Sequence, residues 1–72
     1  MNGFVRMRKR AQMSQESVAL AINVERSTIA KWETGVANPR VSTLVALSNL
    51  YHCEISDLLA DDKPINDREE AV

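Results

Sequence analysis

Apolar residues recur along most of this chain at helical spacing. Phe4, Met7 and Ala11 fall at i, i+3 and i+7, and the charged Arg8 shares their face. The spacing predicts a first helix from residue 2 or 3 to residue 12. Val18, Ala19 and Ile22 then mark one face of a second helix. Ser14 precedes that helix as its N-cap, and Glu16 in the first turn suits the positive helix end. Asn23 should end it, because Asn tolerates the left-handed conformation best after Gly. Val24, Ile29 and Trp32 restart the apolar pattern in a third helix, which Gly35 closes. A loop over residues 36–40 follows, where Pro39 disfavours helix at Asn38. A fourth helix is predicted over Val41–Tyr51, burying Val41, Leu44, Leu47, Ser48 and Tyr51, with Ser42 and Thr43 in its first turn. His52 follows at its negative end. A fifth helix, 55–60, should bury Ile55, Leu58 and Leu59, with Glu54 or Ser56 near its start.

Residues 15–34 carry the chemistry. Two short helices are joined there by a tight turn. The second has an apolar inner side, while Arg26, Ser27, Thr28 and Lys31 lie off that side. Reading a DNA groove requires this arrangement: a rigid helix with one buried face, short polar groups and one or two long cations on the other. Arg and Lys can donate to the acceptor edge of guanine. Ser and Thr can serve bases or phosphates. Gln15 sits where the N–H groups of a helix start point outward, a place that binds anions readily. Asn38 and Arg40 can reach phosphates from the loop. Arg6, Lys9 and Arg10 lie off the apolar face of the first helix, and either phosphate contact or plain solvation suits them.

This stretch resembles the helix-turn-helix of Cro and phage-repressor-type regulators, often called the XRE family. The matching residues are Gln15, Val18, Ala19, Ile22, Val24, Ile29, Trp32 and Glu33-Thr34-Gly35, then Asn38-Pro39 and Ile55-Ser56-Asp57-Leu58-Leu59. The resemblance covers roughly residues 4 to 60. It implies an all-α, compact five-helix, lambda-repressor-like domain with the helix-turn-helix at helices 2 and 3. It also implies an ion pair between Arg8 and Glu33, a phosphate held by Gln15, and a small apolar core position at Cys53. Three departures stand out. The turn has Asn23 where Gly is usual. The cap of the recognition helix is Glu25, a weaker cap and a negative charge facing DNA, which can accept from a cytosine amino group. Val36 stands where many relatives are basic, so the phosphate grip should be weaker.

Seventy-two residues make one small domain, whose stability must come from packed helices. The expected division is a DNA-binding domain over 1–60 and an acidic, mobile tail over 61–72. A net charge of −1 looks wrong for a DNA binder until the chain is split. Residues 1–53 hold seven Lys or Arg against three acids, and residues 54–72 hold two against seven. The body is thus positive by four and the end negative by five, which suggests a DNA-facing body with its acidic end turned away. The single Cys53 has no internal disulfide partner and is expected to be a buried thiol. No apolar run is long enough to span a bilayer and no signal-peptide pattern occurs, so a cytoplasmic protein is expected.

These features predict a sequence-specific, double-stranded DNA-binding transcriptional regulator, a repressor acting as a homodimer on a palindromic operator. Leu20, Val45 and Leu50, clustered with Leu59 and Ile65, would supply the dimer surface. The alternative is a protein-interaction partner such as the antitoxin of a toxin–antitoxin pair, with a polar tail folding on its partner. The short tail has no bulky apolar anchor beyond Ile65, which argues against this. An enzyme is not expected: no nucleophile–base pair, phosphate-cradling Gly loop or metal-ligand cluster occurs. Neither a cofactor, a metal, a membrane nor a small-molecule ligand is implied.

Overall fold

The computed structural model describes residues 2–60, which form five helices: α1 (Gly3–Arg10), α2 (Gln15–Ile22), α3 (Arg26–Thr34), α4 (Val41–Tyr51) and α5 (Ile55–Leu59). The expected acidic tail over 61–72, and Ile65 within it, lie outside the described residues.

Several helix boundaries have a local cause. Asn2 caps α1: its Oδ1 accepts from the Val5 N–H at 3.2 Å. Arg8, Lys9 and Arg10 fill the last turn of α1, where positive charge opposes the carbonyl ends. The helix is shorter than its apolar stripe, because Ala11 already leaves it and Gln12 turns to φ 59°. Ser14 and Ser17 cap α2 reciprocally, the Ser17 N–H donating to Ser14 Oγ at 3.0 Å and the Ser14 N–H to Ser17 Oγ at 2.9 Å. Asn23 adopts the left-handed conformation at φ 62° and closes α2. Gly35, at φ 83°, does the same for α3, and the Val36 N–H reaches back to the Lys31 carbonyl at 3.0 Å.

α2 packs on α3, α1 on α5 and α3, and α4 on α5, α1 and α2. Phe4, Met7, Val18, Ala19, Ile29, Trp32, Leu44, Leu47, Tyr51 and Leu58 make the buried core. Burying Val18, Ile29, Leu47 or Leu58 contributes about 1.5–3 kcal/mol each. The α1–α5 contact is close because residue 3 is Gly. A Cβ there would stand 2.1 Å from the Asp57 carbonyl oxygen. The Gly3 N–H donates to the Ala60 carbonyl at 2.9 Å.

Several expected core residues lie elsewhere. Val41 is 73% exposed, because it is the first residue of α4 and precedes the part of the helix that enters the core. Leu59 is 60% exposed. It follows the fully buried Leu58, and one helical step of about 100° turns it outward. Ile55, Ser48 and Cys53 are half-buried rather than fully enclosed.

Candidate nucleic-acid interface

α3 is divided along its length. Ile29 and Trp32 are buried, while Arg26, Ser27 and Lys31 are exposed and Thr28 is half-buried. From Arg26 to Lys31 the helix rises about 7.5 Å. That matches roughly two base-pair steps at about 3.4 Å each. Two donors so spaced can address different base pairs in one groove. Glu25, at the N-cap, is exposed and makes no capping bond with its side chain, which leaves its carboxylate outward at the start of the helix. Thr34 is turned to its own helix, its Oγ1 donating to the Ala30 carbonyl at 3.0 Å.

The polar groups of the loop are similarly open. Asn38 and Arg40 are exposed, and Arg40 serves as N-cap of α4 without a side-chain capping bond. The apolar Val36 is exposed beside them.

Gln15 lies at the first position of α2 and is half-buried. Its amide nitrogen donates to Glu33 Oε1 at 3.0 Å. The same carboxylate takes two bonds from Arg8, with Nε to Oε2 at 2.6 Å and Nη2 to Oε1 at 3.0 Å. The third Arg8 donor, Nη1, holds the Met13 carbonyl at 2.9 Å. The side chains of Arg8 and Glu33 are 13% and 5% exposed, so water screens the pair little. The hydrogen bond to Glu33, against a smaller opposing effect of burial, raises the guanidinium above its ordinary pKa and keeps it charged. Of the candidate residues, the structure therefore gathers Arg8, Glu33 and Gln15 into one hydrogen-bonded network and leaves Glu25, Arg26, Ser27, Lys31, Asn38 and Arg40 facing outward.

Asn2, with no expected role, and Arg10, expected at phosphates or in solvent, instead tie helix ends together. Asn2 Nδ2 donates to the Trp32 and Glu33 carbonyls at 3.0 and 3.1 Å, so the end of α3 is tied to the start of α1. Arg10 Nη2 donates to the Tyr51 and His52 carbonyls, each at 3.0 Å, and caps the end of α4. Neither contact has a sequence signature, since each joins residues at least 30 positions apart. His52 takes the left-handed conformation at φ 55°. Burial pushes the Cys53 thiol above its ordinary range, away from the thiolate that redox or metal chemistry uses. Among the described residues, no group of three or more His, Cys, Asp or Glu could hold a metal ion, and no helix is long and apolar enough to cross a membrane.

Comparison with known proteins agrees with this geometry. Residues 6–58 match the family described as Helix-turn-helix. The chain is 30% identical over 59 residues to the HTH-type transcriptional activator BcrR of Enterococcus faecalis. The matched region is 82% of this chain and 29% of that relative, so the chain spans less than a third of the relative's length. No solved structure matches.

Proposed function

The chain belongs to the helix-turn-helix family of Cro and phage-repressor type, whose members are DNA-binding transcriptional regulators, and from that premise we propose that it reads a palindromic operator as a homodimer. One observation carries this reading: α3 is fixed by a buried inner face and turns Arg26, Ser27 and Lys31 outward. Arg26 is the principal base reader, donating in bidentate fashion to guanine O6 and N7, with Lys31 a second donor about two base pairs along. Ser27 and Thr28 serve bases or phosphates. Glu25 takes a cytosine amino group at the leading end of the helix, where recognition helices contact base edges. Gln15, Asn38 and Arg40 hold the backbone and fix the register.

The dimer places two copies of α3 about 34 Å apart, one helical turn of DNA. Leu20 at 77% exposed, Val45 and Leu59 are open apolar positions available for such a contact. Leu50 is less available, since it packs against the core. Bound over a promoter, the protein acts as a repressor by excluding transcription. The name of the Enterococcus relative favours activation as a second reading. A reporter with the site placed over or upstream of the promoter separates the two by the sign of its response.

The test is selection of bound duplexes from random DNA at about 150 mM salt, where non-specific binding is weak. Wild type and Arg26→Ala run side by side. A two-fold-symmetric site, with preference relaxed at one position per half-site in Arg26→Ala, supports the reading. Failure of well-folded wild type to enrich any sequence refutes it.

A further inference from the structure

The Arg8–Glu33 pair does more than join two helices. Glu33 accepts three hydrogen bonds, and one comes from Gln15 at the start of the neighbouring helix. We propose that Glu33 is a positioning residue for DNA binding: it holds the Gln15 amide, in the free protein, in the orientation that meets a backbone phosphate. This rests on the DNA-binding reading above and goes further in giving the buried pair a part in affinity.

A carboxylate can only accept, so the NH₂ edge of the Gln15 amide must face Glu33 and the flip of the amide is fixed. One amide hydrogen is used by Glu33, which leaves the second free to donate. Gln15 is the first residue of α2, whose opening backbone N–H groups have no intrahelical partner. The Ser17 N–H is already taken by Ser14, so a phosphate oxygen here would meet Gln15 and the first N–H groups rather than the whole turn. Arg8 completes the arrangement from two sides. It orients Glu33 through two bonds and holds the Met13 carbonyl, which leads directly into the Ser14 cap. The backbone of the helix start and the side chain it carries are thus set by one guanidinium and one carboxylate. Glu33 itself belongs to α3, so the phosphate contact is fixed relative to the helix that reads bases.

A free Gln side chain must lose its rotamer freedom on binding. Ordering it beforehand removes that loss and strengthens binding by up to roughly tenfold. The part that Glu33 plays passes through Gln15, so the Gln15→Ala background separates it from fold stability and from what Arg8 does at the Met13 carbonyl.

The test is a cycle of four proteins binding the duplex recovered by the selection above: wild type, Gln15→Ala, the paired replacement Arg8→Met/Glu33→Met, and all three changes together. The paired replacement leaves no charge buried alone, so it keeps the fold where either single change endangers it. With Gln15 present, the paired replacement should weaken binding about three- to tenfold. In the Gln15→Ala background it should change binding by less than about twofold, because the side chain being positioned is gone. Equal weakening in both backgrounds would show a merely structural pair and overturn the proposal, as would no weakening in either. A second measurement needs no variant. In free wild type, nitrogen relaxation should find the Gln15 side-chain amide ordered and that of the exposed Gln12 mobile, and equal mobility would also overturn it. If wild type recovers no duplex at all, the DNA-binding reading fails and this inference with it. If it recovers one and the cycle is additive, only this inference fails.

Discussion

Replacing Arg8 with Met alone should cost this domain much of its stability. The change removes both bonds to Glu33 and the bond to the Met13 carbonyl. Glu33, 5% exposed, is left with the single donor of Gln15. A buried charge stripped of its partner costs about 3–5 kcal/mol, most of it the penalty of the carboxylate left behind. A chain of 72 residues has roughly 4–11 kcal/mol to lose, at about 0.05–0.15 kcal/mol per residue. At roughly 4–8 °C per kcal/mol, the melting midpoint should fall by at least about 12 °C. Urea denaturation followed by circular dichroism measures this, with the slope checked so that the change can be assigned to stability. Adding Glu33→Met should restore a large part of the loss, since it removes the stranded charge. A loss below about 1 kcal/mol in Arg8→Met would mean that the pair behaves as a solvated surface bridge and that the burial argument is wrong.

Three further outcomes are expected. Gly3→Ala should destabilise by more than the usual cost of about 1–3 kcal/mol for an overpacked core, because the new methyl meets the backbone carbonyls of Asp57 and Leu58 rather than yielding side chains. The same urea titration reads it. His52→Gly should raise the melting midpoint, relieving a side chain held at φ 55° by about 1 kcal/mol, and an unchanged or lower midpoint would show that the imidazole compensates the strain. Burial, with smaller charge effects, pushes the Tyr51 phenol up to about 12 from 10.0. The unfolded chain therefore releases this proton first, so stability should be unaffected below pH 10 and fall as pH rises through 10 to about 12. Tyr51→Phe should flatten that fall in a pH series of denaturation midpoints.

The helices are legible in the sequence where they carry their own start or stop. Ser14, Asn23 and Gly35 act on their immediate neighbours, and α4 runs over the predicted Val41–Tyr51. The outward face of α3 is legible for the same reason, since Ile29 and Trp32 define its inside by spacing alone. What spacing cannot give is where a stripe stops being covered. Val41 stands at the start of α4, ahead of the turns that enter the core, and Leu59 is turned one helical step away from the buried Leu58. The clamps made by Asn2 and Arg10 are illegible for a different reason. Both use backbone carbonyls at distant helix ends, and any residue type offers a carbonyl. The bond from Gln15 to Glu33 escapes any reading that gives each residue a single partner, since such a reading assigns Glu33 to Arg8 and expects Gln15 to meet a phosphate.

The clasp between Gly3 and Ala60 has a consequence for how the protein is made. The first helix is made before the surface that covers it, which is the last part of the described chain to appear. At about 5–20 residues per second, the interval between the two is roughly 3–11 s. During that time Phe4 and Met7 have no α5 to pack against, and the N–H of Gly3 has no carbonyl to bond. The apolar face of α1 therefore lacks its α5 partner until residues 55–60 have been made. Slow codons between residues 3 and 60 would prolong that state.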